Sequence, residues 1–357
     1  MTKIPEPLHI FGDFNQESYV TAIDIHKSNN GEIFVICGYH NGLISTWLLS
    51  TYRCQQQIQL DDHIKDKNIE LSPVRSLIYI NARQTLVIRL ARGNVLLFHF
   101  DLNDSEKFYL INHWRTFELT FAKMTSLIDD LFIPYLDPDN SNQINLMHLY
   151  QPNVIIKIIA KEKIDHGIIM AIHSFIDSEK FLYNFIAYED GFLTINKSYF
   201  DSNKTIMDSE TISSIQIQNE GILHMDYNDC VKQGIACYAP NEVVLWKCSI
   251  GNERLIDNSK IKRFTINSES ITCCSIRPDG KIFAIGSGDG RIRIFSTKIG
   301  RPLAVISYHH ESIETLRFTL NLHSNNDGDN LKKYLLFASS QDGSISIWSL
   351  YNSDSNL

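Results

Sequence analysis

The sequence has 357 residues, of which 43% are hydrophobic and 21% charged, and its formal net charge is −8. This composition is that of a folded globular chain, and the acidic balance disfavours direct binding to nucleic acid or to an anionic membrane. The sequence contains no run of about 20 apolar residues that would predict a membrane-spanning helix.

Short segments with one shared pattern recur along the whole chain. Each begins with Gly or Asn and then places apolar side chains at its third and usually its fifth position, which is the two-residue period of a β-strand. In chain order the segments are GLISTW at 42, GNVLLF at 93, NQINLM at 142, GFLTIN at 191, NEVVLW at 241, GRIRIF at 290 and GSISIW at 343. Starts spaced about 50 residues apart indicate seven structural repeats.

Two further β-like runs precede each segment, and a fourth run follows it. In the sixth repeat these are SITCCSI, KIFAIGS and, after the shared segment, PLAVISY at 302–308. The turn RPDG at 277–280 suits a chain reversal, because Pro278 presets φ and Gly280 tolerates a positive φ. Each repeat is therefore predicted to be a four-stranded antiparallel meander, and seven of them predict an all-β, seven-bladed β-propeller.

The seventh repeat ends on its third strand and lacks a fourth. At the other end of the chain, the segment LHIF at 8–11 precedes the first repeat and belongs to none. We expect it to complete the last blade and close the ring, which removes open sheet edges. The prediction is one domain over residues 1–357, with blades near 18–60, 72–110, 117–160, 167–200, 221–262, 270–308 and 312–351 plus 8–11.

The repeats are unequal in regularity. Repeats one, six and seven are regular, whereas DDLFIPYLDPDNSNQ at 129–143 puts prolines and acids where the third repeat needs a tight turn. Polar segments at 60–71, 198–214, 250–262 and 322–333 are predicted to be surface loops.

The clearest polar constellation lies in the seventh repeat. Ser340 and Asp342 are two residues apart, Trp348 follows six residues later, and His309 or His310 precedes the first strand. WD repeats have this spacing, and in them a His–Ser–Asp–Trp hydrogen-bond network ties the strands of a blade together. We therefore assign His309, Ser340, Asp342 and Trp348 to a structural blade network. A catalytic Ser–His–Asp triad is the alternative, but the indole N–H would occupy the serine and no nucleophile elbow is present.

The sixth repeat keeps Ser287 and Asp289 but has Phe295 in place of the tryptophan, so its network is predicted to be incomplete. Arg291 and Arg293 alternate with isoleucines in the same strand, which fits either a packed and solvated blade face or a partner-binding stripe. GSGDGR at 286–291 resembles a phosphate loop, but no helix follows it.

No catalytic, cofactor or metal site is predicted. The thirteen histidines are scattered, no HExxH or paired Cys/His cluster occurs, and the seven cysteines include no Cys-x-x-Cys pair. Because residues 1–14 lack the apolar segment of a secretory signal, we expect free thiols in a reducing compartment. The expected protein is a non-enzymatic disc without a cofactor, which binds other proteins through loops on one rim.

Three stretches carry a more specific resemblance: 275–318, LLFASSQDGSISIWSLY at 335–351, and the opening from HIFGDF at 9 to TYRC at 51–54. The run RPLAVISYH followed by a terminal ISIWSLY is similar to the ASTRA-associated protein 1 family, whose metazoan relatives are called guanine nucleotide-binding protein subunit beta-like protein 1. The resemblance covers repeats one, two, six and seven.

The resemblance implies a non-enzymatic WD-repeat scaffold subunit of the ASTRA complex. It implies roles in chromatin regulation and in the maturation of PI3-kinase-related kinases. The implied partners are a Tra-type PI3-kinase-related protein, the Tel–Tti cochaperone proteins and the RuvB-like AAA+ ATPases, with no direct nucleic-acid or membrane partner. The implied location is the nucleus, and secondly the cytoplasm.

The sequence bears on three alternative functions. A G-protein β subunit needs a long N-terminal helix, for which the few residues before 8–11 leave no room. A WD-repeat adaptor or substrate receptor of another complex, such as a ubiquitin ligase, is compatible with a bare propeller. An enzyme on a propeller would need titratable groups that converge on a central pocket, and the sequence offers no such cluster.

Overall fold

Almost all of the regular structure is β-strand, as the two-residue period predicts. The computed structural model describes residues 6–12, 18–28, 30–65, 69–118, 124, 132–151, 154–160, 166–217, 219–238, 240–248, 256, 261–321 and 333–351. Within these ranges lie 27 strands and two short 3-10 turns, Leu60–His63 and Asn81–Arg83. The same part of the chain has no helix that is long and apolar enough to cross a membrane.

The strands form seven meanders that follow the seven repeats, and we call them blades one to seven. In chain order, the strands before and in blades one to three are β1 (His9–Phe11), β2 (Val20–Lys27), β3 (Ile33–Tyr39), β4 (Leu43–Leu48), β5 (Arg53–Gln59), β6 (Val74–Ile80), β7 (Thr85–Leu90), β8 (Asn94–Asp101), β9 (Asp104–Arg115), β10 (Phe132–Asp137), β11 (Asn140–His148) and β12 (Ile155–Ala160). Blade one holds β2 to β5, blade two β6 to β9, and blade three β10 to β12.

The remaining strands build blades four to seven. They are β13 (Ile169–Ile176), β14 (Phe181–Tyr188), β15 (Phe192–Tyr199), β16 (Ile206–Gln216), β17 (Ile222–Asn228), β18 (Gln233–Tyr238), β19 (Glu242–Lys247), β20 (Lys262–Thr265), β21 (Ile271–Ile276), β22 (Ile282–Ser287), β23 (Ile292–Ser296), β24 (Pro302–Ile306), β25 (Ile313–Asn321), β26 (Lys333–Ser340) and β27 (Ile345–Ser349). Blades four, five and six hold four strands each, and β25 to β27 belong to blade seven.

The chain forms two compact units. The first comprises Met1–Leu60, Asp226–Lys247 and Lys260–Leu357, and the second comprises Asp61–Met225 and Cys248–Ser259. Blades one, six and seven lie in the first unit, and blades two, three and four lie in the second. The expectation of a single domain over 1–357 stays a prediction.

The first strand of the chain completes the last blade. The sheet of blade seven has the order β1-β27-β26-β25, and β1 runs antiparallel to β27 with Ile10 opposite Ser346. The Leu8 N–H donates to the Ile347 carbonyl at 2.7 Å, and Phe11 is buried among residues of blades one and seven. The prediction that 8–11 supplies the missing strand of a β-propeller is confirmed.

The segment 198–214 is not a surface loop, so that prediction was wrong. Residues 206–216 form β16, the fourth strand of blade four, which therefore extends well past residue 200. Met207 and Ser209 are buried on this strand, while Asp208 and Glu210, which alternate with them, are exposed. Because a serine fills one of the interior positions, the composition looked too polar for a strand.

The third repeat also differs from expectation. In the described part of this segment β10 covers Phe132–Asp137, and the chain reverses only at Pro138 and Asp139, before β11. Pro134 lies inside β10, opposite Leu146. In the described part of the sheet β10 is the outermost strand, where a residue without an N–H can be accommodated. The first strand predicted for this repeat falls largely outside the described residues.

Each blade buries both of its faces, so its inner strands are nearly continuous runs of apolar residues. All residues of β3 and of β22 are buried. In the first unit, Ile235 and Leu245 of blade five share one cluster with Phe283 and Ile285 of blade six. Packing of this kind favours the β-branched and aromatic side chains that dominate the repeats.

Candidate functional site

A chain of hydrogen bonds crosses blade seven from a tryptophan to an aspartate. The Trp348 indole N–H donates to the Ser346 hydroxyl at 2.7 Å, and Ser346 lies 2.7 Å from Nε2 of His309. On the other side of the ring, His309 Nδ1 lies 2.9 Å from Oδ2 of Asp342. Since Trp348 can only donate, Ser346 donates to Nε2 and the imidazole carries its proton on Nδ1, where Asp342 accepts it.

A second serine fixes the carboxylate. The Ser344 hydroxyl and backbone N–H donate to Oδ1 of Asp342 at 2.5 and 2.9 Å. Burial acts to raise the pKa of the Asp342 carboxyl, but hydrogen bonds from His309 and Ser344 outweigh it and hold that pKa well below its usual range. Asp342 is therefore an acceptor throughout the physiological pH range.

The structure brings His309, Asp342 and Trp348 together through Ser346, and it places Ser340 elsewhere. The Ser340 hydroxyl donates to the Glu311 carbonyl at 2.9 Å and accepts the Asp342 N–H at 3.2 Å. Ser340 thus joins the turn to the start of the blade, beside the network. The structural role that we assign to these residues stays a prediction about stability.

The sequence carries a signal for Ser346 that the spacing argument missed. In blade one, the Trp47 indole N–H donates to the Ser45 hydroxyl at 2.9 Å, and Ser45 in turn contacts the Tyr39 hydroxyl at 3.2 Å. In both blades the serine precedes the tryptophan by two residues. Side chains two apart on a strand share a face, so the pair is in reach of one hydrogen bond.

The contacts of Ser346, His309 and Asp342 are also those of a Ser–His–Asp triad. The Ser346 side chain, however, is 0% exposed, and the His309 ring is fully enclosed as well. The tryptophan N–H already occupies the serine oxygen. A substrate carbonyl therefore has no path to this serine, and the arrangement is a buried brace between strands.

Blade six builds a different network at the same positions. Arg293 precedes Phe295 by two residues, as Ser346 precedes Trp348. Its Nη1 donates to the Ser287 hydroxyl at 2.8 Å, and its Nη1 and Nη2 donate to the two oxygens of Asp289 at 3.1 and 2.6 Å. This repeat lacks the indole of the His–Ser–Asp–Trp network, as predicted from Phe295, but the Arg293 guanidinium supplies hydrogen-bond donors in its place.

The two arginines of blade six do not form one stripe. The Arg293 side chain is buried, and Nη2 also donates to the Asn267 carbonyl. Arg291 is half-exposed and lies 3.6 Å from the same Asp289 carboxylate. Burial acts to raise the pKa of Asp289, but hydrogen bonds from Arg293 and the Arg291 N–H outweigh it and lower that pKa.

A third version of the network occurs in blade four. His166 precedes the first strand of the blade, and its Nδ1 lies 2.6 Å from Oδ2 of Asp190 in the turn between the second and third strands. The pair occupies the positions that His309 and Asp342 have in blade seven. The His166 ring also stacks on Phe192, with ring centroids 3.9 Å apart.

A buried arginine joins blade six to the end of blade seven. Arg277, the first residue of the RPDG turn, donates through Nη1 to the carbonyls of Leu350 and Tyr351 at 2.8 and 3.0 Å. Its Nε and Nη2 donate to the Asp279 carboxylate, each at 2.8 Å. The sequence predicted only a turn here and gave no sign of this anchor, because the two carbonyls follow β27, 73 and 74 residues further along the chain.

The described residues hold no group of three His, Cys, Asp or Glu side chains that could bind a metal ion. All seven cysteines are free thiols, and among them Cys230 is exposed. Burial raises the pKa of the Cys37 thiol far above its usual range, so this thiol is unreactive.

Comparisons with known proteins agree on a WD-type repeat. Residues 244–321 match the family model described as anaphase-promoting complex subunit 4 WD40 domain. The chain is 31% identical over 164 residues to mouse guanine nucleotide-binding protein subunit beta-like protein 1, covering 46% of this chain and 43% of that protein. It is 25% identical over 254 residues to ASTRA-associated protein 1 of Aspergillus flavus, covering 59% and 57%.

A shorter match of 38% identity over 76 residues links the chain to ASTRA-associated protein 1 of Schizosaccharomyces pombe, covering 21% of this chain and 18% of that protein. The chain spans about half the length of the first curated relatives that it matches. Among solved structures, the beta-propeller domain of Myceliophteria thermophila Cps50 (Swd1) superposes with a TM-score of 0.67 at 14% identity, over 93% of this chain and 97% of that one. The fold is therefore a β-propeller.

Proposed function

The chain belongs to the ASTRA-associated protein 1 family, and on that premise we propose that it is a non-enzymatic WD-repeat scaffold subunit of the ASTRA complex. The similarity to three proteins named ASTRA-associated protein 1 carries this proposal. The polar side chains of blade seven support it, since Ser346 and His309 are enclosed and make their hydrogen bonds within that blade.

The proposed partners are those that the family resemblance implies. They are a Tra-type PI3-kinase-related protein, the Tel–Tti cochaperone proteins and the RuvB-like AAA+ ATPases. In this proposal the protein helps to assemble or stabilise PI3-kinase-related kinases and takes part in chromatin regulation. It acts in the nucleus, and secondly in the cytoplasm. The net charge of −8 supports contact with proteins rather than with nucleic acid or membranes.

A tagged pull-down from the native cells at moderate salt, read by mass spectrometry, tests the proposal. We expect Tel–Tti proteins, RuvB-like ATPases and a Tra-type protein to be recovered with the wild-type chain. An unrelated tagged WD-repeat protein expressed at the same level is the control for nonspecific binding to a β-propeller. Recovery of none of these subunits above that control would contradict the assignment.

A second candidate function is an adaptor or substrate receptor of another complex, such as a ubiquitin ligase. The observation in its favour is that residues 244–321 match a family model named for a subunit of a different assembly, the anaphase-promoting complex. The same pull-down separates the two candidates. Cullin subunits in place of the ASTRA subunits would favour the adaptor.

A further inference from the structure

Strand β16 of blade four pairs with strands of two blades. From Ser209 to Gln216 it runs antiparallel to β15, with Ser209 opposite Ser198. Its first residues, 206–209, run parallel to β12 of blade three, from Lys157 opposite Ile206 onward. The strand therefore parts from β15 just before Tyr199, and the two strands form a fork.

A pocket of about 570 Å³ lies at this fork. That volume is within the range of roughly 300–1,000 Å³ that is usual for ligand pockets. The pocket is lined by Phe181, Lys197, Tyr199, Lys204, Ile206, Met207, Asp208 and Glu210. All eight residues belong to blade four and to the loop that joins β15 to β16.

Two aromatic residues line the fork pocket, and one of them is largely exposed. Phe181 and Tyr199 lie opposite each other in the β14–β15 register, with ring centroids 5.9 Å apart and nearly perpendicular planes. The Lys197 ammonium sits 3.7 Å from the Phe181 ring centroid. Tyr199 is 55% exposed and Ile206 is 52% exposed. Exposed aromatic and aliphatic groups beside a pocket are typical of protein-binding sites.

The fork pocket is lined by both positive and negative side chains. Lys197 and Lys204 line it together with Asp208 and Glu210. Among the residues that the structure describes, none of these four makes an ion pair. A second pocket of the same unit is different, since there Arg115 pairs with Glu118 at 2.5 Å. Of these two pockets, the fork pocket is the one in which lysines and acids of the described residues are both without an ion-pair partner.

We propose that the fork pocket binds an aromatic side chain of a protein partner, with an acidic and a basic residue next to it in the partner chain. The ring packs between Tyr199 and Ile206, where edge-to-face contact with existing rings is available. The acidic neighbour faces Lys197 and Lys204, and the basic neighbour faces Asp208 and Glu210. The inference rests on the proposed scaffold function, because it names the kind of partner segment that the scaffold receives.

A titration of the full chain with a short peptide tests the pocket directly. The probe is acetyl-Gly-Glu-Trp-Lys-Gly-amide, together with the order Gly-Lys-Trp-Glu-Gly. The readout is the methyl NMR spectrum of protein labelled at Ile and Met. We expect at least one peptide to shift the Ile206 and Met207 signals. The Ile111 methyl, 51% exposed on β9 of blade two, should stay unchanged.

Two variants localise the binding. We expect Tyr199→Ala and Lys197→Glu each to weaken the peptide affinity at least tenfold. Tyr109→Ala is the matched control, because Tyr109 is 56% exposed on another blade, and it should leave the affinity unchanged. Replacing the peptide tryptophan by alanine should abolish the shifts.

Several results would overturn the inference. Equal shifts with N-acetyltryptophanamide alone would assign a small-molecule site. Shifts that follow the protein concentration in the absence of peptide would assign a second copy of the chain. The absence of shifts with either peptide would exclude the pocket as a binding site for such a segment. Pull-downs with Lys197→Glu separate this failure from a failure of the proposed function. If wild type and variant recover the ASTRA subunits equally, the pocket inference fails while the scaffold stands. If wild type recovers none but the peptide still shifts Ile206, the scaffold fails and the pocket stands.

Discussion

Blades six and seven hold the same turn together with different chemistry. In blade seven, three side chains form a relay of hydrogen bonds that runs from Trp348 through Ser346 and His309 to the Asp342 carboxylate. In blade six the single guanidinium of Arg293 reaches the Asp carboxylate of its own turn, a serine hydroxyl and a backbone carbonyl. A brace of this kind therefore requires hydrogen-bond donors that reach the turn aspartate, and either a relay of side chains or one forked guanidinium can supply them.

The two blades also differ in how the chain builds them. All four strands of blade six follow one another in sequence, whereas blade seven takes its outer strand β1 from the beginning of the chain. We expect the two differences to be separable, because one lies in side-chain networks and the other in strand pairing. Four experiments test them, and the effect expected on the free energy of unfolding falls from the first to the last.

The largest effect is expected when residues 1–12 are deleted. The deletion removes the pairing of His9–Phe11 with β27 and the bond from Leu8 N–H to the Ile347 carbonyl, and it exposes the surface that Phe11 covers. About four hydrogen bonds near 1 kcal/mol each, plus one buried aromatic side chain, correspond to a loss on the order of 5 kcal/mol. Urea unfolding measures it, and an unchanged midpoint would refute closure by this strand.

Arg293→Ala should come second, with a loss of about 3 kcal/mol, because it leaves Asp289 and the Asn267 carbonyl without their donor. Arg293→Lys should recover only part of this loss, since an ammonium cannot make the two parallel bonds to the carboxylate. Arg291→Ala is the matched control and should change stability by no more than about 0.5 kcal/mol. Equal losses for the two alanine variants would show that burial of Arg293 does not matter.

Trp348→Phe should cost about 2 kcal/mol, through the lost bond to Ser346 and the smaller ring in a fully buried position. It gives blade seven the aromatic residue of blade six without the arginine that completes blade six. Trp47→Phe in blade one is the comparison, and its loss should be smaller because Trp47 is only partly buried. Urea unfolding of both variants at pH 7 decides it, and a larger loss for Trp47→Phe would contradict the ranking.

The smallest effect concerns acid stability. The pKa of Asp342 is lower in the folded chain than in the unfolded chain, where an aspartate titrates near about 4. The ionised carboxylate therefore stabilises the fold at neutral pH, and this contribution is lost as the pH falls below about 4. Asp342→Asn should show a lower stability at pH 7 and a shallower decline between pH 5 and pH 2. A slope identical to that of the wild type would show that Asp342 contributes nothing to acid unfolding.

Particular residues show how far the sequence could lead. The alternation in GSISIW and its relatives predicted the strands, and LHIF at 8–11 could be placed because it was the one strand without a repeat. The strand at 206–216 was missed, since its polar composition, with the buried Ser209 among exposed acids, resembles a loop. The sequence argument chose Ser340, which precedes the turn at Asp342, and missed Ser346, which follows the same turn. The sequence left Arg293 between a packed and solvated blade face and a partner-binding stripe, because its partners depend on a turn that only the folded blade positions.

The sequence by itself determined the repeat, the all-β class and the strand that joins the two ends of the chain. These follow from period and spacing, which are local properties that survive substitution of individual side chains. Only the tertiary structure decided which serine completes the network of blade seven, that Arg277 reaches Leu350 and Tyr351, and that β16 forks between two blades. Those facts depend on contacts between side chains and strand edges that are far apart in the chain. Packing and the need to satisfy buried polar groups fix these contacts, and no local pattern encodes them.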